Sequence, residues 1–176
     1  MSRLTAAAGA ALRALIGNFC FTKITLAINA ASAATVKSTG AIVYTIGGLF
    51  FTKSALAAQS IAVTHRLFGE PVTVADPAFV QPSGTTVFYV LSLNAAGTVA
   101  VSQGSYAGQA VTYAGDLSRI VTGDGDLPEE PAGYTAIGVL KVATTGGATF
   151  TPGTTALDAA NVAVTYYDVA TLPETL

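Results

Sequence analysis

Four carboxylates stand close together in the sequence and are the side chains best placed to do chemistry: Asp124, Asp126, Glu129 and Glu130. Asp124 and Asp126 flank a glycine and can offer oxygen ligands to Ca²⁺, so these two are the candidate metal ligands. Their spacing departs from that of the EF-hand calcium loop. Two carboxylates can also hydrolyse glycosides, but these acids cluster in a turn and the chain has no Trp to stack on a sugar. We interpret the cluster as a solvated turn that precedes a buried strand.

The other nucleophiles and bases do not form a catalytic set. His65 is the only histidine, and Cys20 is the only cysteine, which excludes an internal disulfide. Cys20 stands between two phenylalanines and is expected to be a small buried hydrophobe. The sequence contains no G-x-S-x-G, H-E-x-x-H or Walker motif. We therefore predict a protein that is not an enzyme, with no catalytic residue and no cofactor.

The composition predicts a surface that is largely covered by other subunits. Of the 176 residues, 51% are hydrophobic and only 10% are charged, whereas a typical charged share is roughly 25%. A free monomer with so few charges is prone to associate. The chain is therefore expected to form a homo-oligomer, and the alternative is a compact β domain whose surface is solvated by Thr and Ser.

The charges are divided unevenly along the chain. Residues 1–66 carry six basic and no acidic residues, residues 67–176 carry two basic and ten acidic ones, and the net charge is −2. This division predicts that the amino-terminal part faces an acidic partner, such as the acidic half of a neighbouring copy. The basic residues are spread out without interleaved aromatics, so we expect no nucleic acid partner. The candidate partner-binding residues are Arg3, Arg13, Lys23 and Lys37.

Residues 1–16 are alanine-rich and apolar. Arg3, the apolar run and a later Ala-Ser-Ala resemble a secretory signal, but Arg13 interrupts the run and the Ala-Ser-Ala lies far beyond it. The pattern favours a short helix over Ser2–Ile16. An isolated helix of this length is marginal in water and needs a docking surface.

These patterns predict two parts, an anchoring arm that is helical or extended over residues 1–37 and a β domain over residues 38–176. No run of apolar residues is long enough for a transmembrane helix, so we expect no membrane partner.

The segment Asp126–Val142 predicts the central strand of the β domain. It opens with a turn that contains two prolines and Gly133, and the strand begins at Tyr134. Simple alternation places Ile137 and Val139 on one face and Leu140 on the other. Both faces are largely apolar, which is typical of a strand buried on both sides.

The fold class is predicted to be mainly β, an antiparallel β-sandwich or barrel with a short N-terminal helical arm. Apolar and polar residues alternate in short runs that are separated by turn signals. Gly47-Gly48 predicts a hairpin with a two-residue primed turn, and residues 86–103 predict a second hairpin. A single helical turn is predicted over 54–59, and the proline-rich residues 67–86 predict a long surface connection or an irregular edge. The main predicted strands cover residues 21–28, 41–46, 49–52, 61–64, 86–93, 98–103, 134–142 and 162–168.

One motif in the central segment resembles structural proteins of tailed-bacteriophage virions. It has the form L-P-x-x-P-x-G-x-x-x-I-G-x-[LV]-x-V, and a Thr/Ala-rich β segment lies upstream of it. The resemblance covers roughly residues 38–176. It implies a β-rich capsid decoration, head-fibre or tail-associated protein, commonly trimeric, located in the virion and without catalytic residues. The motif residues and the downstream segment are Leu127, Pro128, Pro131, Gly133, Ile137, Gly138, Leu140, Val142 and Phe150–Thr154.

The leading functional hypothesis is a virion structural protein that decorates or cements the capsid through its amino-terminal arm. Its partners are then other virion subunits, either capsid or tail proteins. The alternative is a receptor- or glycan-binding module of a tail tip or fibre, with an exposed aromatic cluster of Tyr106, Tyr113 and Tyr134. A small secreted enzyme is the third hypothesis, and the missing catalytic set argues against it.

Overall fold

The computed structural model describes residues 17–72, 79–105 and 127–169, together with the backbone of two short strands between residues 110 and 120. The chain is mainly β, as predicted, and every strand pair is antiparallel. The described residues contain almost no helix, and the predicted helix over Ser2–Ile16 lies outside them. The strands are β1 Phe19–Cys20, β2 Ala27–Ile28, β3 Thr35–Lys37, β4 Ile42–Ile46, β5 Leu49–Lys53, β6 Gln59–Ser60, β7 Thr86–Asn94, β8 Val99–Gln103, β9 Ala110–Val111, β10 Arg119–Ile120, β11 Tyr134–Thr144 and β12 Val162–Asp168.

The largest sheet has four strands in the order β12-β11-β7-β8. β11 therefore lies between two neighbours, which confirms the central strand predicted from the proline- and glycine-rich segment. The β7–β8 hairpin and the last strand, β12, also confirm their predictions. Smaller sheets, β1-β4-β5 and β2-β3-β6, have three strands each, and β9 pairs with β10.

The alternation predicted for β11 is wrong at its amino-terminal end because the strand contains a β-bulge. The register with β7 shifts between Ala136 and Gly138. Ile137 therefore packs in the main core together with Leu140, whereas Val139 packs on the opposite face with Phe88 and Val90. A bulge inserts one residue and re-aims the side chains before it.

The main core lies between one face of the four-stranded sheet and the two small sheets. Tyr89, Leu91 and Leu140 supply the sheet side, and Tyr44 of β4 and Val36 of β3 supply the other side. All five side chains are almost completely buried. The burial of such apolar side chains is the main favourable contribution to the free energy of folding.

The described part of the predicted arm, residues 17–37, packs as part of the β domain. β1 pairs with β4, and β2 pairs with β3. Ile24 and Leu26 between them are 0% and 6% exposed and belong to the main core. The division at residue 37 between an arm and the β domain stays a prediction, and residues 1–16 lie outside the described residues.

The hairpin predicted at Gly47-Gly48 is confirmed, whereas the helical turn and the strand predicted for the segment after it are not found. Both glycines have positive φ, 55° and 73°, which suits a two-residue primed turn between β4 and β5. The helical turn predicted over 54–59 is absent, since β6 occupies Gln59–Ser60 and pairs with β3. The strand predicted over 61–64 is also absent, although Ile61 is fully buried in the core.

A buried glutamine fastens the connection before β7 to the large sheet. Gln81 is 0% exposed, and its side-chain amide donates to the carbonyls of Thr85 and Val142 at 3.0 Å. The hydroxyl of Tyr89 donates to Gln81 Oε1 at 3.2 Å. The predicted long surface connection is therefore anchored in the interior, and the buried amide is satisfied as burial requires.

Gly138 is the point at which the amino-terminal segment lies closest to the central strand. A Cβ at this position would lie 2.4 Å from Leu26 Cδ1 and 3.2 Å from Ile24 Cδ1. We expect Gly138→Ala to destabilise the fold by about 1–3 kcal/mol, because the added methyl overpacks the contact. Urea unfolding measures this loss.

The matched control is a double-mutant cycle with Leu26→Ala. Removing the Leu26 side chain makes room for the new methyl group, so the double variant should be more stable than the sum of the two single losses predicts. Strict additivity of the two losses would contradict the close contact.

Candidate interaction surface

Of the residues predicted as metal ligands or partner contacts, the structure describes two. Asp124, Asp126, Arg3 and Arg13 lie outside the described residues. Lys23 and Lys37 are described and exposed. Lys37 of β3 is paired with Ala27, and Lys23 precedes Ile24, whose carbonyl accepts the N–H of Thr39 at 3.1 Å. These two cations therefore lie on the same pair of adjacent extended segments, where a partner could reach both.

Glu130 supports the bulge in β11. The N–H of Ala136 donates to Glu130 Oε1 at 3.0 Å, at the residue where the register shift begins. Although the residue as a whole is exposed, its carboxyl group is partly desolvated, which raises its pKa, and the bond from Ala136 opposes that shift. Before the strand, Tyr134 N–H donates to the carbonyl of Pro131 at 3.0 Å and Gly133 has φ 78°, a type II turn.

A cavity of about 280 Å³ lies between this turn, β1 and the outer face of the large sheet. Its lining is mainly apolar and includes Phe19, Val139 and Val169, with Glu130 as a polar group. Among the described residues no group of three or more His, Cys, Asp or Glu is arranged to hold a metal ion.

Two carboxylates of the acidic half bind the backbone of the basic half. Asp168 Oδ1 accepts the N–H of Thr25 at 2.7 Å, and both carboxylate oxygens of Asp158 accept the N–H of Ser32 at 2.9 and 3.1 Å. Thr25 and Ser32 have positive φ, 48° and 58°, a conformation that costs free energy for residues with a side chain. The uneven charge division thus has a role within one chain, because carboxylates hold strained backbone in the acid-free half.

The contacts of His65 and Cys20 are those of residues that stabilise the fold. The His65 ring shares a hydrogen bond with Thr64 Oγ1 at 2.9 Å and contacts the Tyr134 ring edge-on at 5.5 Å, and burial lowers its pKa. Cys20 is buried, as predicted, and burial raises the pKa of its thiol. A thiol with a raised pKa forms little thiolate and is a poor nucleophile.

An aromatic cluster covers the outer face of the β1-β4-β5 sheet. The cross-strand register places Phe19 opposite Thr45, and Thr45 opposite Phe50. Phe21 continues the same face, since its N–H donates to the carbonyl of Val43. The ring centroid of Phe21 lies 5.0 Å from the ring centroid of Phe19 and 5.4 Å from that of Phe50. We call Phe19, Phe21 and Phe50 the aromatic face.

The aromatic face is exposed, although its residues are apolar. Phe19, Phe21 and Phe50 are 49%, 46% and 65% exposed. Antiparallel sheets usually turn a polar face to water, and contiguous exposed apolar groups mark interaction sites. This face is therefore the candidate interaction surface of the described residues.

The aromatic face continues into the free edge of its sheet. β5 is the last strand in the order β1-β4-β5 among the described residues. Ile46 and Leu49 close the two-residue hairpin, so the backbone groups of Phe50 and Thr52 are directed away from β4. An edge strand with exposed apolar side chains is a template for pairing with another chain.

The segment 1–16 joins the described chain beside this face. The N–H of Gly48 donates to the carbonyl of Gly17 at 2.8 Å, and Gly47 N–H donates to Asn18 Oδ1 at 2.8 Å. Asn18 Nδ2 in turn donates to the carbonyl of Tyr134 at 2.9 Å. These bonds fix the junction at the β4–β5 turn, next to Phe19 and the start of β5.

Sequence reasoning identified the hairpin and missed the aromatic face. The run Leu49-Phe50-Phe51 puts apolar side chains on both faces of a strand. This run was the feature of the sequence from which the aromatic face could have been predicted. Of the tyrosines predicted for a glycan-binding cluster, Tyr106 and Tyr113 lie outside the described residues. Tyr134 is half-buried, and its hydroxyl accepts a hydrogen bond from Asn94 at 3.3 Å.

No family model matches the chain, and no match was found among curated proteins or solved structures. Within the described ranges no helix has the length and apolar character needed to cross a membrane.

The role of Glu130 predicts an unusual pH dependence. Because its folded-state pKa is raised, the folded state binds more protons than the unfolded state above the ordinary glutamate pKa of 4.5. The contribution of Glu130 to stability is therefore largest at low pH and falls as the pH rises through the raised folded pKa. We expect Glu130→Gln, whose amide oxygen can still accept from Ala136, to remove this decline in urea unfolding measured from pH 4 to 8.

Glu129→Gln is the matched control, because it removes the exposed neighbouring carboxylate, which has no side-chain bond to the bulge. It should keep the wild-type decline. A decline that survives in Glu130→Gln would contradict the assignment.

Proposed function

We propose that this chain is a non-enzymatic structural protein of a tailed-bacteriophage virion, which decorates or cements the capsid and assembles as a homo-oligomer. The observation that carries the proposal is the exposed aromatic face beside the junction with residues 1–16. The resemblance of the central motif supports the virion as the location and favours a trimer. The partners proposed are other virion subunits.

Attachment is proposed to rest on apolar burial, with charge setting the orientation. Residues 1–16 contain Leu4, Leu12, Leu15 and Ile16 with two arginines and no acid. Burying such side chains contributes about 1.5–3 kcal/mol each before ordering costs. The arginines, together with the exposed Lys23 and Lys37, suit an acidic partner surface.

For the fold, we infer a β-sandwich rather than a barrel. The core face of the four-stranded sheet, with Tyr89 and Leu91, packs against a separate layer that includes Ile42 and Tyr44 of β4. β5 and β12 remain at the ends of their sheets, which supports two open layers over one closed barrel.

Deletion of residues 1–16 tests the proposal. The shortened protein should keep its far-ultraviolet circular dichroism and stay within about 0.5 kcal/mol of the full-length stability, because the described core begins after this segment. It should fail to bind virus particles assembled without this protein, whereas the full-length chain binds to saturation. Copies per particle are counted by quantitative mass spectrometry.

Deletion of residues 1–35 is the contrasting variant. It removes Cys20, Ile24 and Leu26 from the core, and each loss of this kind costs about 2–5 kcal/mol for a large side chain. This variant should not fold, so only the shorter deletion separates attachment from folding. Saturable binding of the variant that lacks residues 1–16 would contradict attachment through this segment.

A further inference from the structure

We propose that the aromatic face packs against the same face of a second copy of this chain around a symmetry axis. This inference rests on the proposed function in taking the chain to be an assembly protein, and it names the surface and the partner. Phe19, Phe21 and Phe50 would then be covered in the assembled protein by the equivalent side chains of a neighbouring copy.

The chemistry of the aromatic face fits a copy of itself. Between the rings lie Val43 and the buried Thr45, so the face carries no ionisable side chain of its own strands. Lys53 of β5 pairs with the core residue Ile42 and therefore lies on the opposite face of the sheet. Glu130 lines the cavity beside Phe19 but belongs to the turn before β11 and not to this sheet. Two faces whose own strands carry no charge can meet through offset or edge-to-face ring pairs.

The rest of the described surface supplies no second sheet face of this kind. The other exposed large apolar side chains are Leu49, at the hairpin turn, and Phe68, Val80 and Leu127, which lie in connecting segments. If copies of this chain meet through apolar burial, the surface best matched to the aromatic face is the aromatic face itself. A symmetry axis that passes close to it brings equivalent residues together.

The edge of β5 supports the same partner. Natural sheets protect free edges with proline, bulges or charged residues. In β5 the only such residue is Lys53 at the end of the strand, while Leu49–Thr52 has a regular register to β4 and no charge. The backbone groups of Phe50 and Thr52 point outward beside the exposed rings. A neighbouring copy can shield this edge when it covers the face.

The aromatic face is the centre of the contact rather than all of it. With exposures of 46–65%, the three rings offer roughly 300 Å² per copy. A stable interface needs about 800 Å² per partner. Buried aromatic residues at the centre of an interface usually carry most of its binding energy, so loss of these rings should dissociate the assembly.

Light scattering on the full-length protein tests the inference with the variant Phe21→Asp/Phe50→Asp and the matched control Phe68→Asp. The wild type and the control should have the mass of two or more 17.7 kDa chains, and the double variant should have the mass of one. Circular dichroism and cooperative unfolding verify that each variant is folded. A monomeric wild type, or a folded double variant that keeps the wild-type mass, would overturn the inference.

A second measurement detects the contact directly and removes only the Phe50 ring, leaving Phe19 and Phe21 in place. In a Cys20→Ala background, Phe50→Cys should form a disulfide-linked pair of chains under mild oxidation, because equivalent residues meet near the axis. Phe68→Cys in the same background should remain unlinked. Failure of Phe50→Cys to cross-link would overturn the self-contact. If Phe50→Cys forms cross-links but the full-length protein does not bind virus particles, the contact between copies would stand and the virion role would be rejected.

Discussion

The close approach of Leu26 to the backbone of Gly138 is the constraint on which the rest of the structure depends. Gly138 lets the side chains of Leu26 and Ile24 lie directly against the central strand, because an added Cβ would force Leu26 Cδ1 to shift. This contact carries the amino-terminal segment into the main core and so fixes the path from β1 to β2. Because β1 then pairs with β4, the side chains of Phe19 and Phe21 are left on the outer face of the small sheet. The packing of the core thereby creates the exposed aromatic face.

Three carboxylates of the described residues accept hydrogen bonds from backbone N–H groups at irregular positions. Glu130 accepts the N–H of Ala136 at the bulge, while Asp158 and Asp168 accept the N–H groups of Ser32 and Thr25. Bonds from backbone N–H groups to a carboxylate are stronger than neutral ones, so they can hold positive-φ residues in place. A chain with few charges thus uses several of them to stabilise irregular backbone, which accounts for acidic residues that do not assemble into a catalytic or metal-binding set in the described residues.

The sequence was sufficient to predict strands and turns whose causes are local. The Gly47-Gly48 turn, the β7–β8 hairpin and the last strand follow from glycine conformation and alternation of apolar residues. The bulge between Ala136 and Gly138 was not predictable, because the alternation of apolar residues does not locate an inserted residue. The contact of Gly138 with Leu26 was not predictable either, because it joins positions 112 residues apart.

The candidate surface was harder to predict than the fold. The run Leu49-Phe50-Phe51 is apolar on both faces and is typical of a strand covered on both sides. Sheet order decides whether such a strand is covered by its own chain, and sheet order is not encoded in local periodicity. Among the described strands β5 is at the edge of its sheet. Phe51 stacks on Tyr44 on the core face, while Phe50 on the other face remains exposed.

Hydroxyl-radical footprinting of the full-length protein at high and low concentration tests most directly whether assembly covers the aromatic face. Oxidation of Phe50 and Phe21, read by mass spectrometry, should fall as the protein associates, while oxidation of the exposed Phe68 should stay constant. Equal oxidation of Phe50 in the associated and dissociated protein would show that the aromatic face stays open to water, and would contradict the account.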